Sequence, residues 1–196
     1  MGPIEVESDE ACAGRARAGD RAAFQELVVR HQSRILRLAT RMCANGSDAE
    51  EVTQETFLQA FRGIGSWKGE ARFATWLHHI AVNAALMRRR ADRRRPAEPL
   101  SVPLPDLDHL DLEATTGDPG LRADLVLERK RIAHSIRAAL ARLALTYRAA
   151  FTLHLEGLGV PEAARVLGIS RGAARQRVHR ARLMLREQLR PLLAAS

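Results

Sequence analysis

Arginine side chains near the C-terminus have the spacing of a DNA-binding surface. Residues 160–182 begin with a short helical pattern, turn at Gly168 and continue as a second helical pattern rich in arginine. In a helix-turn-helix of this kind the second helix enters the major groove, where an arginine fork can pair with guanine or hold a phosphate. The residues predicted to contact DNA here are Arg171, Gly172, Arg175, Gln176, His179 and Arg180.

The same helix needs an apolar face that holds it against the protein. Ala174, Val178, Ala181 and Leu185 recur at steps of four, three and four residues, which is the spacing of one helical face. At 100° per residue, Gln176, His179 and Arg180 lie on the opposite side, and Arg175 lies at its edge. A charged, solvated face that binds nothing is the alternative, and the glycine turn before the helix argues against it.

A second basic cluster lies at positions 88–90 and 93–95, where six of eight residues are arginine. Like charges this close repel one another unless a polyanion or salt is near. Phosphate binding by Arg88, Arg89 and Arg90 is therefore favoured over a solvated helix end. Because this cluster is far in sequence from the helix-turn-helix, the chain is predicted to span a DNA site with two parts.

Aromatic and basic residues also lie together in the loop that precedes this cluster's helix. Trp67, Lys68 and Arg72 combine ring surface with positive charge, a combination that can hold unstacked single-stranded bases. Trp76 and Phe73 stand three residues apart on a helical pattern, so Trp76 is predicted to lie in the core instead.

No catalytic, cofactor or metal site is predicted. His78 and His79 lack the spacing of a zinc-binding helix, and Cys12 and Cys43 have no partner at zinc-ligand spacing. The glycine-rich phosphate loop and the nucleophile elbow are missing from the sequence as well. An enzyme acting on nucleic acid is therefore the weakest of the functional classes considered.

The composition of the chain favours a polyanionic partner. The formal net charge is +8 and the isoelectric point is near 10.9, while 46% of residues are hydrophobic and only 4% aromatic. The longest apolar runs fall short of the roughly 20 residues that a membrane span needs, and the acidic N-terminus does not resemble a signal peptide. These features predict a soluble cytoplasmic protein with aliphatic cores.

The functional residues need helices to position them, and the hydrophobic pattern predicts an all-α fold. It consists of two small helical domains joined by a long linker rich in proline and aspartate. The predicted boundaries are a disordered N-terminus at 1–15, a first domain at 16–95, an acidic linker at 96–124 and a second domain at 125–196. A solvated tether is the simplest interpretation of the linker.

Apolar residues at three- and four-residue steps define the predicted core. Asp20 is the predicted N-cap of one helix, Ser47 and Glu50 form a predicted capping box, and a helix break is predicted near Ala144. In the first domain the predicted core positions are Phe24, Leu27, Val28, His31, Ile35, Leu38, Met42, Val52, Thr53, Thr56, Phe57, Ala60, Phe61, Trp76, Leu77, Ile80, Ala84 and Met87. In the helix that opens the second domain they are Leu125, Ile132, Ile136, Leu140 and Leu143.

Both halves of the chain resemble one family, the extracytoplasmic-function sigma factors of bacterial RNA polymerase, within the sigma-70 superfamily. Residues 48–61 resemble the region 2 helix that docks on the polymerase β′ clamp. Residues 73–83, with the arginines that follow, resemble the segment that melts the promoter and recognises its –10 element. Residues 139–189 resemble region 4, which reads the –35 element.

The resemblance implies an initiation factor that directs core RNA polymerase to a promoter and helps to open it without covalent catalysis. It implies a polymerase interface made by Asp48, Glu51, Gln54, Glu55 and Phe57. It implies –10 contacts from Ser66, Trp67, Lys68, Arg72, Asn83, Arg88, Arg89 and Arg90. The implied partners are the β′ clamp helices and β flap of core polymerase, double-stranded and melted promoter DNA, and an anti-sigma factor. The resemblance also implies that the acidic linker passes through basic channels of polymerase toward the RNA path, in place of the solvated tether.

One departure from the family limits what can be transferred to this chain. The family commonly has Gly-Thr-Val-Lys-Ser-Arg at the start of the recognition helix, where residues 172–177 are Gly-Ala-Ala-Arg-Gln-Arg. The –35 sequence therefore does not carry over. The rival interpretation is a helix-turn-helix regulator that acts without polymerase and uses its N-terminal domain as a sensor or dimerisation module.

Overall fold

The computed structural model describes residues 7–92 and 119–193, and within these ranges it is all α-helical, as predicted. The first domain contains helices α1 to α4 and a 3-10 turn at Ile64–Ser66. The second domain contains α5 to α8. The helices are α1 Asp9–Arg17, α2 Arg21–Met42, α3 Gly46–Gly63, α4 Phe73–Asp92, α5 Pro119–Arg142, α6 Leu145–Leu155, α7 Val160–Leu167 and α8 Arg171–Leu193.

Helix α1 corrects the prediction that residues 1–15 are disordered. Ser8 caps it by accepting a hydrogen bond from the Ala11 N–H at 3.2 Å, and Cys12, Ala13 and Ala16 are buried. These residues are small, so the apolar side of α1 lacks the large side chains that make a helical stripe visible in sequence. Residues 1–6 lie outside the described residues.

The core of the first domain follows the predicted stripes closely. Leu27, Ile35, Leu38 and Leu77 are fully buried, and Asp20 caps α2 by accepting from the Ala22 and Ala23 N–H groups at 2.9 and 3.1 Å. Met87 was predicted to be buried, but 64% of its surface is exposed.

The cap of α3 differs from the predicted capping box at Ser47 and Glu50. Asn45 is the N-cap, and its side-chain oxygen accepts from the Asp48 N–H at 2.8 Å. Asp48 stands three residues after the cap, and its carboxylate accepts from the Asn45 side-chain amide at 3.0 Å. Asn45 and Asp48 thus cap α3 as a pair, but not as a capping box, in which the side chain at the Asp48 position would accept from the Asn45 backbone N–H.

The second domain begins earlier than predicted, because α5 starts at Pro119, inside the predicted linker. The rest of that linker, residues 96–118, lies outside the described residues, as does the side chain of Leu125. Leu140 and Leu143 are buried against α8, as predicted. Ile132 and Ile136 were also predicted to be core residues, yet 41% and 42% of their surfaces are exposed.

The two domains pack against each other. Ala149, Leu153, Leu158, Ala163 and Val166 of the second domain belong to the same continuous core as the buried residues of α1 to α4. Helix α6 lies on α2, and α7 lies on α4. The surface where they meet is called the domain seam below.

Candidate DNA and polymerase interfaces

The helix-turn-helix forms as predicted, and its turn depends on one glycine. Gly168 ends α7 in the left-handed region, with φ 61°, where a residue with a Cβ is strained. The Ser170 hydroxyl then accepts from the Ala173 N–H at 3.1 Å at the start of α8. These two caps set the direction in which α8 leaves the domain.

Helix α8 has the two faces that its sequence predicts. Ala174, Val178, Ala181 and Leu185 are buried, with exposures of 0 to 7%. The six predicted –35 contacts are all exposed on the remaining surface, and they are Arg171, Gly172, Arg175, Gln176, His179 and Arg180. Glu187 is the only acidic residue in α8. The exposed face is therefore strongly positive, and it is open to solvent while the domains are packed together.

In the loop between α3 and α4, Trp67 was predicted to contact an unstacked base, but its side chain is buried. Trp67 is only 7% exposed, its ring edge packs on Phe73 with centroids 6.1 Å apart, and its indole N–H donates to the Ala71 carbonyl at 3.2 Å. Trp76, predicted to be core, is half-buried and packs on Phe73 from the other side. A base contact from Trp67 would require its ring to leave this packing.

The polar residues of the same loop are accessible. Ser66, Lys68 and Arg72 are exposed, and the Ser66 hydroxyl donates to the Gly63 carbonyl at 2.7 Å. An open groove of about 630 Å³ lies beside them. Its lining comes from α1, α2, the loop and the start of α4, namely Asp9, Glu10, Arg34, Gly69, Glu70, Ala71, Arg72 and Ala74.

The predicted –10 residues of α4 fall into two groups. Asn83 and Arg90 are exposed, and the Asn83 amide lies 3.2 Å from the His79 ring. Arg88 instead points toward α3, where it donates to Asp48 and Glu51. Arg89 is half-buried. The basic cluster does not present its described arginines equally to solvent.

The predicted polymerase-binding residues of α3 also differ in accessibility. Glu51 and Gln54 are exposed, Glu55 and Phe57 are half-buried, and Asp48 is only 5% exposed. Sequence reasoning missed Leu58 as a surface residue, since 43% of it is exposed. Phe61 was predicted to be core, but 47% of it is exposed while its ring edge packs on Phe24 at 5.1 Å.

Together these residues give α3 an exposed apolar strip. Gln54, Leu58 and Phe61 stand at steps of four and three residues, so they share one side of the helix. This spacing is visible in the sequence and shows that Leu58 and Phe61 share a side of α3 with the polar Gln54, although spacing alone does not show whether that side is covered. An exposed apolar strip flanked by acids is typical of a protein-binding face.

The domain seam contains a buried acid held by two arginines. The Glu156 side chain is 3% exposed and pairs with Arg34 at 3.5 Å and with Arg41. The Arg148 guanidinium donates across the seam to the Met42 carbonyl at 3.3 Å. Thr75 of α4 donates to Glu162 of α7 at 3.5 Å. Polar contacts between the domains therefore supplement the apolar packing.

His78 lies fully buried at the same seam, and burial lowers its pKa below the ordinary histidine value of 6.5. Its ring Nδ1 bonds with the Ala74 carbonyl, and this bond and the nearby Glu156 oppose the shift, while Arg34 and His31 reinforce it. Its Nε2 has no hydrogen-bond partner among the residues that the structure describes. Burial therefore favours the neutral form of the His78 ring.

Among the described residues, Glu7, Cys12 and Glu26 come close enough together to be considered as metal ligands. Glu7 is paired with Arg15 and Glu26 with Arg30, and the Cys12 thiol donates to the Ala23 carbonyl at 3.1 Å. Burial raises the pKa of that thiol, which disfavours the thiolate that binds metals. The cluster is therefore explained as a salt-bridge network that ties down α1.

The fold and its exposed basic face are those of a two-domain helical DNA-binding protein with a helix-turn-helix. Residues 27–95 match the family described as Sigma-70 region 2, and residues 133–185 match the family described as Sigma-70, region 4. None of the described helices is both long enough and apolar enough to cross a membrane.

Named relatives match along almost the whole chain. It is 33% identical over 195 residues to the RNA polymerase sigma-H factor of Pseudomonas aeruginosa, with 97% of this chain and 98% of that protein covered. It is 32% identical over 191 residues to the ECF RNA polymerase sigma-E factor of Escherichia coli K12, with 95% and 96% covered.

Solved structures agree with these matches. CnrH, solved in complex with the cytosolic domain of CnrY, superposes with a TM-score of 0.64 at 26% identity, covering 97% of this chain and 99% of that one. RpoE of Bartonella quintana, solved with the anti-sigma factor NepR, has a TM-score of 0.63 at 22% identity, covering 85% and 96%, and supports the fold alone.

The chain belongs to the extracytoplasmic-function group of the sigma-70 family. It is accordingly a sigma factor of bacterial RNA polymerase. The matches favour this conclusion over the rival interpretation of a regulator that acts without polymerase, because they include region 2 as well as the helix-turn-helix region.

Proposed function

We propose that this sigma factor reads a two-part promoter, with its second domain on the –35 element and its first domain on the –10 element. The observation that carries the proposal is the exposed arginine-rich face of α8, which presents Arg175, Gln176, His179 and Arg180 away from the core. A face of this kind can pair with base edges in the major groove. The sites of action are double-stranded DNA upstream and melted DNA downstream, in the cytoplasm.

In the first domain, α3 docks on the β′ clamp helices of polymerase and the loop before α4 captures an unpaired base. Exposed Glu51, Gln54, Leu58 and Phe61 support the docking role, because they combine charge with accessible apolar surface. The groove beside Arg72 supports base capture, since it adjoins the exposed polar residues of the loop. Extruding a base costs a few kcal/mol, which contacts with polymerase and the –35 element offset.

The protein performs no covalent chemistry in this scheme, and an anti-sigma factor controls it. The domain seam supports such control, because α7 and α6 cover part of α4 and α2. The related CnrH was solved in complex with another protein, the cytosolic domain of CnrY. A partner that holds the domains together would keep the sigma factor from engaging both promoter elements.

The decisive experiment is run-off transcription by core RNA polymerase, with and without this chain, on a library of genomic fragments. Transcripts that appear only with the chain, from fragments sharing two spaced elements, are the expected result. Absence of any chain-dependent transcript and of any complex with core polymerase would refute the proposal. Binding to a palindrome without polymerase would support the rival interpretation instead.

The same assay tests the DNA face of α8. Replacing Arg175 or Gln176 by alanine should weaken selectivity for the –35 element by about 1–3 kcal/mol for each lost base contact. Arg186 is exposed on the same helix, two turns or more beyond these residues, and Arg186→Ala is the matched control. Unchanged promoter choice in the Arg175 and Gln176 variants would show that another surface reads the –35 element.

A further inference from the structure

One arginine of the basic cluster is tied to the polymerase-docking helix. Near the end of α4, the Arg88 Nε donates to Asp48 Oδ1 at 3.0 Å, and its Nη2 donates to the same oxygen. Its Nη1 donates to the Glu51 carboxylate at 2.7 Å. Both carboxylates lie in the first turns of α3, so Arg88 joins the beginning of α3 to the end of α4.

The three side chains differ sharply in exposure. The Asp48 side chain is 7% exposed, that of Arg88 is 27% exposed, and that of Glu51 is 60% exposed. The second oxygen of Asp48 accepts from the Asn45 amide, so both of its oxygens are in use. Asp48 is therefore the buried anchor of the group, and Glu51 is the edge that faces solvent.

We propose that Asp48 and Arg88 form a strut that sets the position of α4 on α3, and that Arg88 is a positioning residue for promoter opening rather than a phosphate contact. This inference rests on the proposed function. In it, Asp48 acts from inside the domain and does not touch polymerase. The Glu51 carboxylate accepts a hydrogen bond from Arg88, while the exposed part of its side chain remains available for docking.

Electrostatics supports the strut over a phosphate contact. A guanidinium attracts a phosphate through its charge and its N–H donors. Arg88 already directs three donors at two carboxylates, whose negative charges outweigh its own positive charge. A DNA phosphate would have to displace these carboxylates and leave Asp48 buried beside no cation. Arg90, two residues further along, is exposed and has none of these pairings in the described structure.

Geometry gives the strut a mechanical role. The exposed strip at Gln54, Leu58 and Phe61 lies on α3, while Asn83 and the loop at Lys68 belong to α4 and its approach. Contacts between α3 and α4 are one direct route by which polymerase bound to α3 can move or hold the strand-opening residues. The Arg88 guanidinium makes directional, charge-assisted hydrogen bonds to two carboxylates and is partly shielded from solvent. These bonds resist sliding of α4 along α3 more than apolar contacts do.

The test uses holoenzymes made with wild-type chain, Arg88→Ala, Asp48→Asn, the double variant and Arg90→Ala. Each is measured on the promoter selected by run-off transcription and on the same promoter with a mismatched, already open –10 region. Fluorescence of 2-aminopurine in the –10 region reports opening, and titration from low to high salt gives the slope of log binding constant against log salt.

A strut predicts that Arg88→Ala and Asp48→Asn each reduce opening of the duplex promoter, on the order of tenfold, as expected for a directly coupled pair. The double variant should be no worse than either single variant. The already open promoter should restore activity, and the salt slope should stay at the wild-type value. Arg90→Ala is the contrasting control, because loss of a phosphate contact lowers the slope by about 0.9.

The inference is overturned if Arg88→Ala lowers the salt slope by about one while Asp48→Asn leaves opening unchanged, or if the two effects simply add. Circular dichroism melting checks that each variant folds, and Arg88→Lys, which keeps the positive charge beside Asp48 and Glu51, should retain part of the opening if Arg88→Ala unfolds. A wild-type chain that activates no transcription would refute the proposed function. An active wild type with fully active Arg88→Ala would refute only the strut.

Discussion

At the scale of single residues, arginine side chains have two different roles. Some carry positive charge at the surface, and others neutralise buried acids. The exposed arginines of α8 carry charge toward solvent, whereas Arg41 and Arg88 direct theirs at the buried acids Glu156 and Asp48. Buried acids paired in this way are stable only with their cations in place. His78 shows the opposite solution, since it remains buried by staying neutral.

The neutral state of His78 predicts that stability depends on pH. Above the ordinary pKa of 6.5 the ring is neutral in both folded and unfolded chains, so its contribution is complete. As pH falls below that value the unfolded chain takes up a proton that the folded chain refuses, and the free energy of unfolding decreases by up to about 1.4 kcal/mol per pH unit. The loss ends when pH reaches the lowered folded-state pKa.

Chemical denaturation at a series of pH values between 7.5 and 5 measures this loss. His78→Gln should flatten the decline, because glutamine does not titrate. His79→Gln is the matched control, since the neighbouring His79 is exposed, and it should leave the wild-type decline in place. If His78→Gln and wild type lose stability in parallel, the buried ring is not the group responsible.

At the scale of helices, what the sequence predicted well depended on large apolar residues at regular spacing. Leu27, Ile35 and Leu38 made α2 evident. The glycine turn, followed by one apolar and one basic helical face, made α8 evident. Helix α1 was missed because its buried residues are alanine and cysteine, which carry little periodic signal. Regular spacing also misplaced Ile132 and Ile136, because a periodic stripe indicates a common face without showing that anything covers it.

The functional surfaces could be predicted only in part, for a related reason. Positions on a helix follow from sequence, so the exposed face of α8 was predicted in full. Pairings between helices do not follow from sequence. The strut from Arg88 to Asp48 joins residues 40 positions apart, and the packing of Trp67 on Phe73 depends on how the loop turns back. Residue type suggested a DNA contact in both cases, whereas tertiary packing assigned another partner.

The turn of the helix-turn-helix gives a prediction at this scale. Gly168→Ala puts a Cβ on a left-handed residue and should destabilise the second domain by about 1–2 kcal/mol. Gly172→Ala is the matched control, because Gly172 lies in the first turn of α8 with ordinary φ, and the nearest atom to an added Cβ is 3.9 Å away. Circular dichroism melting should show a lower Tm for the first variant and no loss for the second. Equal effects would mean that the left-handed conformation is unimportant.

At the scale of the whole molecule, the domain seam is the feature that holds the two domains in one packed arrangement. The apolar core continues from α2 and α4 into α6 and α7, and Glu156 is enclosed between Arg34 and Arg41. A chain that engages the –35 and –10 elements together has to place its domains at two positions along the DNA. The packed arrangement is therefore the closed form of the proposed promoter reader.

The seam predicts that Glu156→Gln opens the molecule. Glutamine keeps the shape of the side chain and one acceptor oxygen but removes the negative charge, so Arg41 and Arg34 lose the ionic part of their shared pairing and gain by moving into water. Solvent already screens the attraction between Arg34 and Glu156, because the Arg34 side chain is 44% exposed, so the loss of this pair has the smaller effect. Small-angle scattering should show a larger radius of gyration for the variant, with helical content unchanged by circular dichroism. Glu187→Gln, an exposed acid on α8, is the matched control and should scatter like wild type. A variant at Glu156 that stays as compact as wild type would show that the apolar contacts alone hold the domains together.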